Sequence, residues 1–268
     1  MVSEMMRIRV KHPKMGLKKM YLMISDPPVG RDLFVEIGMK RQLGVSLPKS
    51  QHRTTYSVKS NRYSNLVVDL KLDDINQVWS TDITYFRMGD VFYYIDLIMD
   101  VYSRRIIGFC ASKTLVATFC VKALDMAIKE RGKANIKQTI HHSDKGVQYI
   151  FNGYTNKLEE NNIQISMCNI VYENAHIERI NGIAKNEYLA HLSINAFKEL
   201  ETQLRKFVKL YNVERPHWSL KGLSPVQFEE RLNTLPKCQR TKMIIYTDDY
   251  TREKQHRDLV NANQMSLF

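Results

Sequence analysis

The chain has 268 residues, 44% of them apolar, enough for one large domain or a medium domain with a smaller one beside it, which excludes wholesale disorder. Its formal net charge of +12 favours a polyanionic partner, nucleic acid before an anionic membrane surface. No apolar run approaches the roughly 18 residues of a membrane span.

In chain order, residues 1–45 read as a small helical region and a candidate DNA contact. "MGLKKMYLMI" and "GRDLFVEIGMKRQLGV" are helix-like, and Pro27, Pro28 and Gly30 mark a turn between them. From Ile37 to Val68, 32 residues hold no acid and six cations, Lys40, Arg41, Lys49, Arg53, Lys59 and Arg62. Residues 46–75 within and beyond this window read as a basic arm laid along phosphates, or as a solvated linker. The four cysteines (Cys110, Cys120, Cys168, Cys238) form no Cys-x-x-Cys pair, so neither a disulfide framework nor a zinc knuckle is expected. The start has no signal-peptide core. The expected location is cytoplasmic, associated with the nucleoid, with no membrane partner.

Strand composition begins at "NQVWSTDITYFRMGD", turns at Gly89-Asp90, and continues in "VFYYIDLIMDVY" and "RRIIGFCAS", an antiparallel meander. "LVATFCVKALDMAIKERG" predicts an amphipathic helix with Val116, Cys120, Ala123, Leu124 and Ala127 on its buried face and Gly132 near its end. "KQTIHHSD" is a fourth strand, a short helix is expected from about Gln148, and "NIQISMC" is a fifth strand. A long helix is expected from near Glu173, then "AFKELETQLRKFVKLYN", stopped at Pro216, and a last helix capped by Ser224-Pro225. The fold class is therefore α/β, a ribonuclease-H-like mixed five-stranded sheet flanked by helices. Residues 76–232 form its core and 233–268 a C-terminal tail.

In that topology, acids from the first strand, the fourth strand and a later helix converge. Asp82 lies mid-strand between Trp79 and Tyr85, where an unpaired buried acid costs several kcal/mol. Asp144 ends the fourth strand, and Glu178 follows on the long helix. Singly, these read equally as a partner of a buried cation, a helix cap and a surface acid. Together they make a cage of hard oxygens of the kind Mg2+ or Mn2+ takes, with two ions per site activating the attacking oxygen and stabilising the leaving one.

The segments "VWSTDITYF", "DVYSRRIIGF", "HHSDKGVQY", "YENAHIERINGIAKNEYL" and "YNVERPHWSL" resemble, in this order, bacterial insertion-sequence transposases with a DDE integrase-type catalytic core. The resemblance covers nearly the whole chain and is to the OrfB subunit of the two-frame, OrfA/OrfB kind. Retroviral integrases are similar in the core only; their zinc-binding N-terminal domain has no counterpart among residues 1–109, which hold no cysteine. The resemblance implies a DDE-type polynucleotidyl transferase that cleaves and joins DNA at element ends, with Asp82, Asp144 and Glu178 as catalytic and metal-binding residues. Thirty-three residues separate Asp144 from Glu178, slightly fewer than that family's usual spacing. Implied partners are DNA, the OrfA product or a fused OrfAB form, and further copies of the chain on DNA. A ribonuclease-H-like nuclease without strand transfer, and an inactive DNA-binding remnant or regulator, are the other readings.

Around the triad, Asn174, Glu178, Asn181 and Lys185 form one polar helical stripe, with Ile177, Ile180, Ala184 and Tyr188 beside it facing the sheet. Lys185 is expected to contact a DNA phosphate, and Asn174 to orient Glu178 or touch DNA. His141 and His142 alternate across the fourth strand. Gly146 is expected to supply an unusual backbone angle, Asp100 to pair with Arg104 or Arg105, and Arg215 and His217 to brace the core. Trp79 and Trp218 read as core residues.

Overall fold

The computed structural model describes residues 1–46, 62–169 and 171–245. Three short helices, α1 (Val2–Lys11), α2 (Leu17–Tyr21) and α3 (Arg31–Lys40), open the chain. They enclose a small core of their own from Met5, Ile8, Met15, Leu17, Met20, Phe34 and Leu43. Arg9 pins its loops by donating to the carbonyls of His12, Pro13, Met15 and Leu43. None of the helices of the described residues is long and apolar enough to cross a membrane.

After a short strand β1 (Lys71–Leu72) come β2 (Val78–Met88), β3 (Val91–Asp100) and β4 (Ile106–Ser112), then α4 (Thr118–Arg131), β5 (Ile140–Ser143), α5 (Asn152–Glu160) and β6 (Gln164–Met167). The sheet order is β4-β3-β2-β5-β6. The first three strands are antiparallel, and β5 and β6 join parallel to β2. α6 (Ala175–Ile183) runs into a π-helical turn, Ala184–Tyr188, and α7 (Phe197–Val213) and α8 (Pro225–Asn233) follow. β7 (Met243–Ile244) pairs with β1.

Strand alternation makes two cores, one on each face of the sheet. Ile95, Leu97 and Met99 pack under α6 and α7 with Ile177, Ile180, Leu204 and Phe207. Trp79 and Ile98 pack under α4 and α5 with Phe119, Leu124 and Tyr154. The apolar stripe Ile177, Ile180, Ala184 and Tyr188 is buried as its spacing predicts. Gly132 caps α4 at φ 76°, the region that favours glycine. Ser224 and Gln227 form a reciprocal capping box with Pro225 at the first turn of α8.

Several expectations need correction. Val116 is 50% exposed, because α4 starts only at Thr118 and leaves it outside the packed face. The helix expected near Gln148 begins at Asn152, since residues 147–149 form a turn. Trp218 is 53% exposed on a short 3-10 turn, whereas Trp79 is fully buried. Lys49, Arg53 and Lys59, at the centre of the expected arm, lie outside the described residues. Between Ser64 and Val67 the chain attaches to the core. Val67 is buried, Leu66 N donates to Ser166 Oγ at 2.9 Å, and Met167 N donates to Ser64 O. The arm therefore cannot extend to residue 75. Likewise the core does not stop at 232, because β7 closes a ribbon with β1 and Ile245 is buried.

Candidate active site

Parallel pairing aligns Val78 with Ile140, Trp79 with His141 and Ser80 with His142. Carried two residues further, this register sets Asp82 beside Asp144, just past the end of β5. Both carboxylates are half-buried. α6 packs across β2 and brings the half-buried Glu178 over the same point. Burial pushes the Asp82 carboxyl well above its ordinary range, and the charges of Asp144 and Glu178 push it further. A hydrogen bond of 2.9 Å from Asn181 Nδ2 to Asp82 Oδ2 opposes that shift. Burial likewise raises Asp144, against a hydrogen bond of 3.0 Å from the Gly146 amide to its Oδ1.

The three acids adjoin without closing on one another. Among the described residues, no three His, Cys, Asp or Glu side chains are gathered tightly enough to hold an ion between them. The donor set nonetheless suits a hard divalent cation: carboxylate oxygens from the middle of β2, from just past the end of β5 and from a facing helix. Asn181 Oδ1 adds a buried polar oxygen with no hydrogen-bond partner among the described residues, on the residue that orients Asp82.

Lys185 is half-buried on the π-helical turn, where burial lowers its ammonium below its ordinary value and the nearby charge of Asp82 offsets part of that shift. The π-helical turn is itself anchored. Arg215, 1% exposed, grips Glu187 through Nε and NH2 at 2.9–3.1 Å. His12 of the N-terminal region hydrogen-bonds the Tyr188 hydroxyl, and Lys14 N donates to Glu187 O. The bracing role expected of Arg215 is thus realised, and His217 stacks edge-on against Tyr211 beside it.

Other candidates fall elsewhere. Asn174 is buried, accepting from Ser80 Oγ and donating to Thr81 O at 3.0 Å. Its carboxamide ties the start of α6 to β2, and neither of these two bonds is to Glu178. Lys40 forms an exposed pair with Glu36, Arg41 is exposed, and Arg62 lies over the Tyr63 ring. His141 hydrogen-bonds Tyr154 on one face, and His142 bonds Ser166 and the Glu173 carbonyl on the other. Gly146 has no left-handed angle. A Cβ there would lie 2.9 Å from Asp144 Oδ1, so small size is what the position requires. Asp100 accepts from the amides of Asn76, Tyr102 and Ser103 and faces Arg131 at 3.4 Å, not the expected Arg104 or Arg105.

One residue near the site escapes sequence reasoning. Asp96 is completely buried on β3 and accepts from Thr81 Oγ1 and Tyr149 OH, both at 2.9 Å. Burial raises its carboxyl to about 7. The only sequence signal was an acid in the middle of an otherwise apolar strand, "YYIDLIM".

Comparison with known proteins bears on family and fold. Two models described as "Integrase core domain" match residues 74–171 and 163–225. An insertion element IS600 uncharacterized 31 kDa protein from Shigella sonnei is 33% identical over 164 residues, 60% of this chain and 59% of that one. An uncharacterized transposase-like protein from Haemophilus influenzae is 33% identical over 156 residues, 57% of this chain and 70% of that one. The chain thus spans a little under three fifths of the length of the first relatives it matches, 58–59%. The fold is also that of a chain in the cryo-EM structure of a simian T-cell lymphotropic virus intasome in complex with PP2A regulatory subunit B56 gamma. There the TM-score is 0.50 at 15% identity, over 86% of this chain and 76% of that one.

Proposed function

The chain belongs to the integrase-core family of bacterial insertion-sequence transposases, and we propose that it is the subunit that cuts and joins DNA at the element's ends. The observation that carries this reading is Asp82 beside Asp144 on parallel-running segments, with Glu178 over them from α6 and Asp82 made hard to ionise first by burial and then by both charges.

Asp82, Asp144 and Glu178 would hold two divalent cations, Mg2+ or Mn2+, which when bound supply charge stabilisation to the attacking and leaving oxygens. Asn181 fixes the direction of the Asp82 carboxylate, and the Gly146 amide fixes that of Asp144. Lys185, beside Asp82 on an anchored turn, contacts a backbone phosphate and so fixes the scissile bond relative to the acids. Water attack on a phosphodiester frees a 3′-hydroxyl, and that hydroxyl then attacks a second phosphodiester. Neither step needs a covalent bond to the protein.

Affinity for DNA comes from elsewhere. Lys40, Arg41, Lys49, Arg53, Lys59 and Arg62 neutralise phosphates without reading sequence. Sequence recognition of the ends falls to the OrfA product or a fused OrfAB form, and several copies of the chain act together on DNA at the nucleoid.

Purified protein, supplied with the OrfA product or as the fused OrfAB form and incubated with labelled element ends and Mg2+ or Mn2+, tests the proposal. Expected products are 3′-end cleavage and strand-joined species, both lost in Asp82→Asn. Cleavage with no joined species, under conditions that capture both ends, would favour a plain nuclease. Absence of both would favour an inactive DNA-binding relative.

A further inference from the structure

Asp96 poses a problem that the proposed chemistry leaves unsolved. Its side chain shares the face of β3 occupied by Ile98 and points into the core under α4 and α5, away from the Asp82 face of the sheet. Both hydrogen bonds it accepts, from Thr81 and Tyr149, end on the same oxygen, Oδ1. Oδ2 is buried with no hydrogen-bond partner among the described residues. The Cys120 thiol lies beside the carboxyl, but a thiol is a weak donor. A half-satisfied carboxyl in an apolar core lowers stability. An apolar residue of similar size would suit the packing better.

The two donors show what the carboxyl does in return. Thr81 precedes Asp82 on β2, and its carbonyl also receives Asn174 from α6. Tyr149 closes the turn that follows β5. Its amide donates to Gly146 O at 3.0 Å, and the Gly146 amide in turn donates to Asp144 Oδ1 at 3.0 Å. One oxygen of Asp96 thus ties together the two backbone segments that carry Asp82 and Asp144. β3 holds it from behind, and no atom of Asp96 bonds to either acid. The raised pKa, about 7, is the expected mark of such burial.

We propose that Asp96 is a positioning residue: through Thr81 and Tyr149 it sets the separation of Asp82 and Asp144, and hence the affinity of the site for divalent cations. This rests on the reading of those acids as metal ligands. Partners that orient ligands typically change metal affinity by about 10- to 100-fold when removed.

The test is Mn2+ titration of the full chain, followed by thermal unfolding and, separately, by cleavage of labelled ends. Asp96→Leu is expected to keep or raise the unfolding temperature without metal, yet to raise half-saturating Mn2+ by about tenfold or more. Tyr149→Phe, which keeps the ring and removes one donor, is expected to raise it by about threefold to tenfold. Asp96→Asn retains the Oδ1 acceptor and is expected to stay near wild type. A lower unfolding temperature with unchanged half-saturating Mn2+ in Asp96→Leu and Tyr149→Phe would reduce Asp96 to a structural residue and overturn the proposal. If the wild type itself shows no Mn2+-dependent shift, the metal-ligand reading fails first, a result distinct from failure of the Asp96 inference.

Discussion

Two groups of buried or half-buried acids gather at the same sheet and the helices packed on it, and they are treated in opposite ways. At the end of β3, Asp100 and Glu229 meet Arg131 and Arg105. Arg131 reaches Glu229 Oε2 at 2.9 Å and Asp100 at 3.4 Å, and Arg105 reaches Glu229 at 2.7 Å. Burial pushes Glu229 up, but the hydrogen bond and charge of Arg131 carry it below its ordinary value. At the other group, Asp82 is raised by burial and then raised again by Asp144 and Glu178. The cation whose charge reaches it, Lys185, is itself disfavoured by burial. Acids that serve the fold are buried together with their arginines. Acids left to repel one another lower stability and are explained by a ligand that brings positive charge.

Breaking each group in turn sharpens that contrast. The largest effect is expected on chemistry. Asp82→Asn, Asp144→Asn and Glu178→Gln should each slow end cleavage by about three orders of magnitude or more, the equivalent of several kcal/mol of lost charge stabilisation. Their unfolding temperatures should stay level or rise, because each removes repulsion. A matching loss of folding, measured by calorimetry, would assign these acids to the structure instead.

The next effect is on stability. Arg131→Met leaves Asp100 and Glu229 buried without their main cation and should cost about 3–5 kcal/mol in denaturant unfolding. Cleavage per folded molecule should be little changed. A cost under about 1 kcal/mol would mean that the pair behaves as a surface bridge does.

A smaller effect follows from pH. The folded-state pKa of Asp96 is raised to about 7 from an ordinary 3.8. The folded state therefore holds a proton that the unfolded chain releases, and stability falls as pH rises between those values, with the penalty complete above about 7. Asp96→Asn should remove that part of the slope in unfolding measured from pH 4 to 8; an unchanged slope would assign it to other acids. Smallest of all, Ser224→Ala removes the α8 cap and should cost about 1 kcal/mol, with no effect on metal response.

The legible parts of this molecule were those written locally. Alternation in "VWSTDITYF" and "VFYYIDLIMD" marked β2 and β3, and the polar stripe with its apolar neighbour placed Glu178 over the sheet. The unread parts depend on partners far along the chain. Arg131 and Glu229 are 98 positions apart, and no local pattern links them. The β1–β7 ribbon joins two dipeptides from opposite ends of the core. The π-helical turn is held by Arg215, His12 and Lys14, three residues from outside its own helix. Trp218 departs from the expected burial because its short 3-10 turn leaves the ring 53% exposed.

The comparison between the two acid groups turns on one measurement: thermal unfolding of the full chain with and without excess Mn2+, in the wild type, Asp82→Asn and Glu229→Gln. A ligand that binds only the folded state raises its unfolding temperature by mass action. The account predicts a rise in the wild type, a comparable rise in Glu229→Gln from a lower baseline, and no rise in Asp82→Asn. An equal rise in Asp82→Asn, or none in the wild type, would contradict it.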